Sequence, residues 1–308
     1  MPRDAVPAPE SNSPRTGFAF ALAAYLTWGL FPIYFRAMRQ VPAAEILAHR
    51  ILWSAVFLSL LVTAGGRWPQ LIAALTPLRR LGIYLLSTAL ITTNWLLYIW
   101  TVNSGHVLQG SLGYFITPLV NVLFGVVFLG ERLRKRQAAA FALAAAGVLV
   151  LAVRVGAVPW LALALAFSFG GYGLVRKKGN IDPVIGLLIE TLLLAPVAAA
   201  LIATRAVAHT GWLGAGTKTT VLLLLAGVVT AMPLIWFAHG VRSLRLSTMG
   251  LIQYVSPTLQ FLGAVFLFHE PFTRPHAIAF ACIWIALALY TADALTAASP
   301  APEVPPLD

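Results

Sequence analysis

The side chains in this sequence that could do chemistry are ionisable groups inside long apolar runs. A charge at mid-bilayer costs at least about 2.5 kcal/mol and persists only where a partner or a function requires it. Glu190 stands seven residues after Pro183, roughly 10 Å down a helix, with no basic residue near it in its own run. Glu45 and His49 are spaced i, i+4 on one helical face, and Arg50 follows about 100° further round. In this pattern Glu190 and His49 could hold a proton or a cationic group, and Arg50 an acidic one. The purely structural alternative puts Glu45 at a helix N-terminus, where the dipole favours it. It leaves His49 and Arg50 in an internal ion pair with Glu190, or snorkelling towards water.

A second set of polar residues falls on two stripes. Ser111, Tyr114, Pro118 and Asn121 are spaced three, four and three apart, which places them on one face of a helix. Gly250, Gln253, Pro257 and Gln260 repeat that spacing 139 residues later, with Tyr254 beside them. A proline inside a helix removes a backbone donor and displaces the carbonyl four residues earlier. Pro118 and Pro257 are therefore expected to kink their helices and free the carbonyls of Tyr114 and Gln253, which a membrane tolerates only beside protein or water. The functional reading is a polar cavity lined by both stripes, with Asn94, Trp95 and Tyr172 as further lining residues. The alternative is that these groups tie neighbouring helices together.

Such groups need elements that cross a bilayer, and the composition supplies them. The 308 residues are 59% hydrophobic and 10% charged, with a mean hydropathy of +0.84, a balance unsuited to a water-facing surface. The net charge of +11 does not form one basic face, since Lys and Arg sit in short clusters between apolar runs. That excludes a nucleic-acid partner in favour of a positive-inside membrane protein. Cys282 is the single cysteine, which excludes an intramolecular disulfide and a cysteine metal cluster. No cofactor is implied.

Apolar runs predict ten helices, near 17–38, 44–64, 81–102, 107–129, 137–153, 158–175, 184–204, 219–241, 246–268 and 274–294. Residues 1–16 and 295–308 read as disordered tails. On alternate sides of a ten-span chain, Lys and Arg divide fourteen against seven in favour of the side holding both termini, which places those termini in the cytoplasm. Pro257 and Glu270 lie 139 residues after Pro118 and Glu131, and Leu112, Leu123 and Val126 recur as Leu251, Leu262 and Val265. The expected organisation is thus one duplicated unit, 17–154 and 158–294. Five helices is an odd number, so the second copy enters the membrane from the opposite side. Inverted repeats of this kind let a transporter open to either side of a central site.

Several stretches carry a resemblance to a known family: AAYLTWGLFPIYF at 23–35, VPAAEILAHRILWS at 41–54, NWLLYIWTVN at 94–103, SLGYFITPLVNVLFGVVFLGERL at 111–133, AFSFGGYGLVRKK at 166–178, LLIETLLLAPVAA at 187–199 and RSLRLSTMGLIQYVSPTL at 242–259. The chain resembles the drug/metabolite transporter superfamily, with its two EamA-type repeats, and within it the RarD-type permeases. The resemblance covers nearly everything but the tails. It implies an all-α polytopic protein of the bacterial inner membrane, with ten transmembrane helices in two inverted five-helix repeats. The expected function is a permease moving a small metabolite or drug-like molecule by alternating access, with the lipid bilayer as surroundings and a proton as a possible coupling ion.

Two other classes compete with a transporter. A non-transporting membrane subunit or sensor would not need polar stripes in both halves. An intramembrane enzyme would need a nucleophile–base pair or a metal set, and the sequence has no HExxH, no GxSxG and no Walker A motif.

Overall fold

The computed structural model describes residues 14–76, 79–130, 134–155, 158–179, 182–243 and 252–297. Glu131, Gly250 and most of both tails lie outside them. The described residues form helices without a strand: α1 Pro14–Arg36, α2 Ala43–Ala64, α3 Trp68–Leu75, α4 Arg79–Asn103, α5 Val107–Leu129, α6 Lys135–Val155, α7 Trp160–Gly179, α8 Pro183–Val207, α9 Thr217–Ser243, α10 Val255–Leu262 and α11 Arg274–Ala297. α10 runs on as a π-helical turn, Gly263–Leu267. Helix starts follow local chemistry: Asp182 caps α8 by accepting from the Val184 and Ile185 amides, with Pro183 in the first turn.

Seven of these helices, α1, α2, α4, α5, α6, α8 and α9, are long and apolar enough to cross a membrane. Three shorter apolar helices coincide with the remaining expected spans: Trp160–Arg176, Val255–Leu267 and Arg274–Tyr290. α1 begins at Pro14, inside the stretch expected to be tail. α3 is an element that the run pattern did not predict. It is a single amphipathic segment with Leu71 buried and Ile72 65% exposed, and Trp68 ties it to α2 through an Nε1 hydrogen bond to Thr63 Oγ1 at 3.0 Å. The outer faces of the long helices expose Leu30, Leu60, Leu86, Leu149, Val153 and Val197, a surface made for hydrocarbon.

The helices pair in a pattern that survives exchanging the two halves. α1 packs on α9 and α10, and its counterpart α7 packs on α4 and α5. α2 meets α9 as α8 meets α4, while α2–α8, α5–α10 and α6–α11 join counterparts directly. Close-packing positions repeat too. A Cβ on Gly29 of α1 would lie 2.7 Å from Leu259 of α10, and one on Gly170 of α7 would lie 2.9 Å from Val120 of α5. Leu259 and Val120 are themselves 139 residues apart. Gly130, at the C-cap of α5, and His269, the same interval later, both adopt left-handed backbone with φ of 68° and 52°.

Candidate functional site

Arg50 is carried inward by α2 and is 4% exposed. Its Nε donates to Thr230 Oγ1 on α9 at 2.7 Å. Its guanidinium lies 4.3 Å from the Trp95 ring of α4, and 5.8 and 5.7 Å from Phe31 and Phe35 of α1. Such cation–π contacts contribute about 2 kcal/mol where water is excluded. Tyr34, Tyr98 and Tyr114 stand close enough to feel the same charge. The Tyr34 hydroxyl donates to the Leu222 carbonyl, whereas the buried Tyr98 hydroxyl has no hydrogen-bond partner among the described residues. Among the described residues no carboxylate pairs with Arg50.

Glu190 lies on α8, the counterpart of the α2 that carries Arg50, with the opposite outcome. It is 1% exposed and saturated with donors: Arg176 Nη1 at 2.9 Å, Ser87 Oγ at 2.8 Å and the Tyr172 hydroxyl at 3.2 Å. Ser87 reaches Glu190 across α4–α8 as Thr230 meets Arg50 across α9–α2, two helix pairs that the repeat exchange interconverts. The ion pair that the sequence suggested between Glu190 and His49 or Arg50 does not form. Glu190 faces α4 and α7, where Arg176, four residues after Tyr172, lies nearer. Ser87, Arg176 and Thr230 carry this arrangement and were not predicted as site residues, because a serine or threonine in an apolar run is common and Arg176 sits in a basic cluster that topology alone explains.

The other ionisable groups divide between interior and ends. His49 is buried, and its Nδ1 accepts from Trp53 Nε1 at 3.2 Å. That requires the ring proton on Nε2, which has no partner among the described residues. Glu45, in the first turn of α2, accepts from the Trp212 amide at 2.6 Å and lies 3.8 Å from Arg205 Nε. Asp182 meets Arg67 at 3.1 Å. Burial raises the Asp182 carboxyl, but the Ile185 amide, Arg67 and the Val184 amide together bring it below the usual range. Glu270 returns from the turn at His269 to accept from the Val107 and Leu108 amides at 2.8 and 2.7 Å, capping α5 from the second half of the chain. Burial pushes the Glu270 carboxyl up, against the pull of those amides, His106 and Arg36.

The two stripes meet without forming a single surface. Ser111 Oγ donates to the Pro257 carbonyl at 2.8 Å, joining α5 to α10 in the interior. The Tyr114 hydroxyl makes a long bond of 3.4 Å to Asn94 Oδ1, and Asn94 Nδ2 holds the Leu165 carbonyl and Ser168 Oγ of α7 at 3.0 and 3.1 Å. Gln260 Nε2 donates to the Trp28 carbonyl and to Ser256 Oγ, both at 3.2 Å, leaving its buried Oε1 without a partner among the described residues. Tyr254 stacks on Phe115, Gln253 is half-buried, and Asn121 is exposed beside Gly170. Pro118 lies within a continuous α5. Helix runs on both sides of Tyr254: Ile252 and Gln253 are helical, the regular pattern breaks at Tyr254, whose backbone stays αR, and α10 resumes at Val255, an interruption one turn before Pro257 of the kind a mid-helix proline makes.

A bundle of apolar helices with charged and aromatic groups turned inward defines the class, a multi-pass membrane protein. Its relatives define the family. The EamA-like transporter family matches residues 15–153. An uncharacterized transporter of Vibrio cholerae is 45% identical over 94% of this chain and 96% of its own length. Protein RarD of Escherichia coli is 45% identical, with 93% and 97% covered. The uncharacterized transporter YojE of Bacillus subtilis is 43% identical, with 90% and 94% covered. The chain belongs to the EamA-like transporter family, among its RarD-type members. A solved crystal structure with 19% identity superposes with a TM-score of 0.60 over 91% of this chain and 98% of the other, a likeness of fold alone.

Proposed function

We propose that this membrane transporter is a secondary carrier of a small metabolite or drug-like molecule, working by alternating access. Its ten helices form two inverted five-helix repeats, 17–154 and 158–294, in the bacterial inner membrane with both termini cytoplasmic. The observation that carries this reading is that the main helix pairs recur under exchange of the halves but unequally, α2 meeting α9 more extensively than α8 meets α4, so that swapping the conformations of the halves gives a second, distinct arrangement. Glu270 then belongs to the outward end, where it fastens the start of α5, and Arg67–Asp182 to the inward end. No ATP-binding motif is present in the sequence, so the driving force is a gradient, with a proton as a candidate coupling ion.

The test is a pair of distances measured by electron spin resonance in nanodiscs, on a Cys282→Ser background. One pair of labels goes at Ser104 and Thr273, the other at Gln70 and Gly179. Two populations at each end, long at one where short at the other, are expected as pH and candidate solutes are varied. One invariant distance at both ends under all those conditions would favour the non-transporting subunit.

A further inference from the structure

We propose that the Arg50 site binds a small organic monocarboxylate with an apolar or aromatic body, taken up as the anion. This rests on the transporter reading and gives that carrier a substrate class. Four other arginines have carboxylate partners: Arg67 with Asp182, Arg134 with Asp293, Arg176 with Glu190 and Arg205 with Glu45. Their side chains are 30%, 45%, 14% and 34% exposed. Arg50, at 4%, is more deeply buried than any of them and lacks an acidic partner among the described residues. An uncompensated charge is hardest to keep where burial is deepest, so the missing anion comes from outside the chain.

Geometry selects the kind of anion. The Thr230 hydroxyl occupies Nε, which leaves the two Nη groups as a fork of the width that grips both oxygens of a carboxylate. The unpartnered Tyr98 hydroxyl supplies another donor. Its ring stands edge-on to Tyr114 and Phe35, at 5.5 and 6.0 Å, and both border Arg50. Phe31, Phe35 and Trp95 wall the guanidinium with apolar surface, so the rest of the ligand meets rings and not water. A monoanion neutralises Arg50, whereas a phosphomonoester would leave net negative charge in the same desolvated place. Glu190 shows the completed version in the other half, a carboxylate held by one arginine and two hydroxyls.

The experiment uses the full chain in nanodiscs and three probes of one shape: hydrocinnamate, its neutral amide, and phenylpropylamine. Binding is read by tryptophan fluorescence and by the thermal midpoint, with butyrate and chloride as smaller anions. Hydrocinnamate should bind about tenfold or more tightly than the amide, the amine should not bind, and chloride should not compete. Arg50→Gln should abolish the preference for the acid. Arg50→Lys, which keeps the charge but loses the fork, and Tyr98→Phe should each weaken hydrocinnamate several-fold and leave the amide unchanged; these two variants decide the matter if Arg50→Gln does not fold. Equal binding of acid and amide, tighter binding of the amine, or no Arg50-dependent binding of any carboxylate in the set overturns the proposal. Charge-selective binding without counterflow of hydrocinnamate in proteoliposomes would sink the carrier reading and leave the anion site. Counterflow of a neutral solute untouched by Arg50→Gln would do the reverse.

Discussion

Arg176 and Glu190 meet at 2.9 Å with the carboxylate 1% exposed, so removing either charge takes from the other its counter-charge in this pair. Breaking a buried pair costs about 3–5 kcal/mol, while replacing both members by apolar groups of like volume is often neutral. Glu190→Gln and Arg176→Met should each lower the thermal midpoint in detergent sharply, and the double variant should recover a large part of the loss. Additive losses would show that the pair is not coupled and would return Glu190 to the list of proton carriers. The sequence made Glu190, His49 and Arg50 visible because charge in an apolar run is rare. It could not say which partner each would find, since Arg176, Ser87 and Thr230 come from helices 14, 103 and 180 residues away along the chain. Trp95 was legible as a deep aromatic group, but its place over a guanidinium depends on how α2 and α4 cross.

Helix contacts set the next scale, where glycines mark how closely the elements approach. A Cβ on Gly227 of α9 would fall 2.2 Å from the backbone carbon of Trp53 in α2, and one on Gly113 of α5 would fall 2.8 Å from the Ala162 carbonyl oxygen of α7. Backbone cannot step aside without moving a helix. At Gly29 the obstruction is Leu259, whose Cδ1 at 2.7 Å can turn away on a change of rotamer while its Cβ at 2.8 Å stays with the backbone. Gly173 of α7 has nothing within 4 Å, so alanine there should be neutral or stabilise by up to about 1 kcal/mol through helix propensity. The expected order of damage for alanine is Gly227, then Gly113, then Gly29, with Gly173 last, read as thermal midpoints of the purified variants. A larger loss at Gly173 than at Gly227 would mean that α2 and α9 do not pack as described. The seven membrane-length helices and three shorter apolar ones among the described residues were legible from run length. α3 was not, because eight residues are too few to form a run, whereas the break at Tyr254 was, because Pro257 displaces the carbonyl four residues before it.

At the scale of the whole molecule, charge gives the expected direction. Fourteen Lys and Arg fall on the side of the termini in a ten-span chain and seven on the other, where Arg50 is one of the seven yet sits inside α2. Cytoplasmic loops retain basic residues because translocating them opposes the membrane potential, at about 2.3 kcal/mol per charge per 100 mV. The same division gives each end of the bundle its own fastenings. Glu45 with Trp212, and Glu270 with the start of α5, fall at the end between α8 and α9. Arg67–Asp182 and Arg134–Asp293 fall at the end of the termini. A phosphatase reporter that is active only in the periplasm should therefore be silent when fused after Asp308 and active when inserted at Gly211, in the loop between α8 and α9. An insertion at Ser104, between α4 and α5, should also be active, because four spans separate these loops and an even number returns the chain to the same side. Activity at Gly211 without activity at Ser104 would mean that one of the intervening helices does not cross, with the short α7 the first to suspect. Equal signals at Gly211 and Asp308 would remove the opposed orientation of the two halves, and with it the exchange on which alternating access depends.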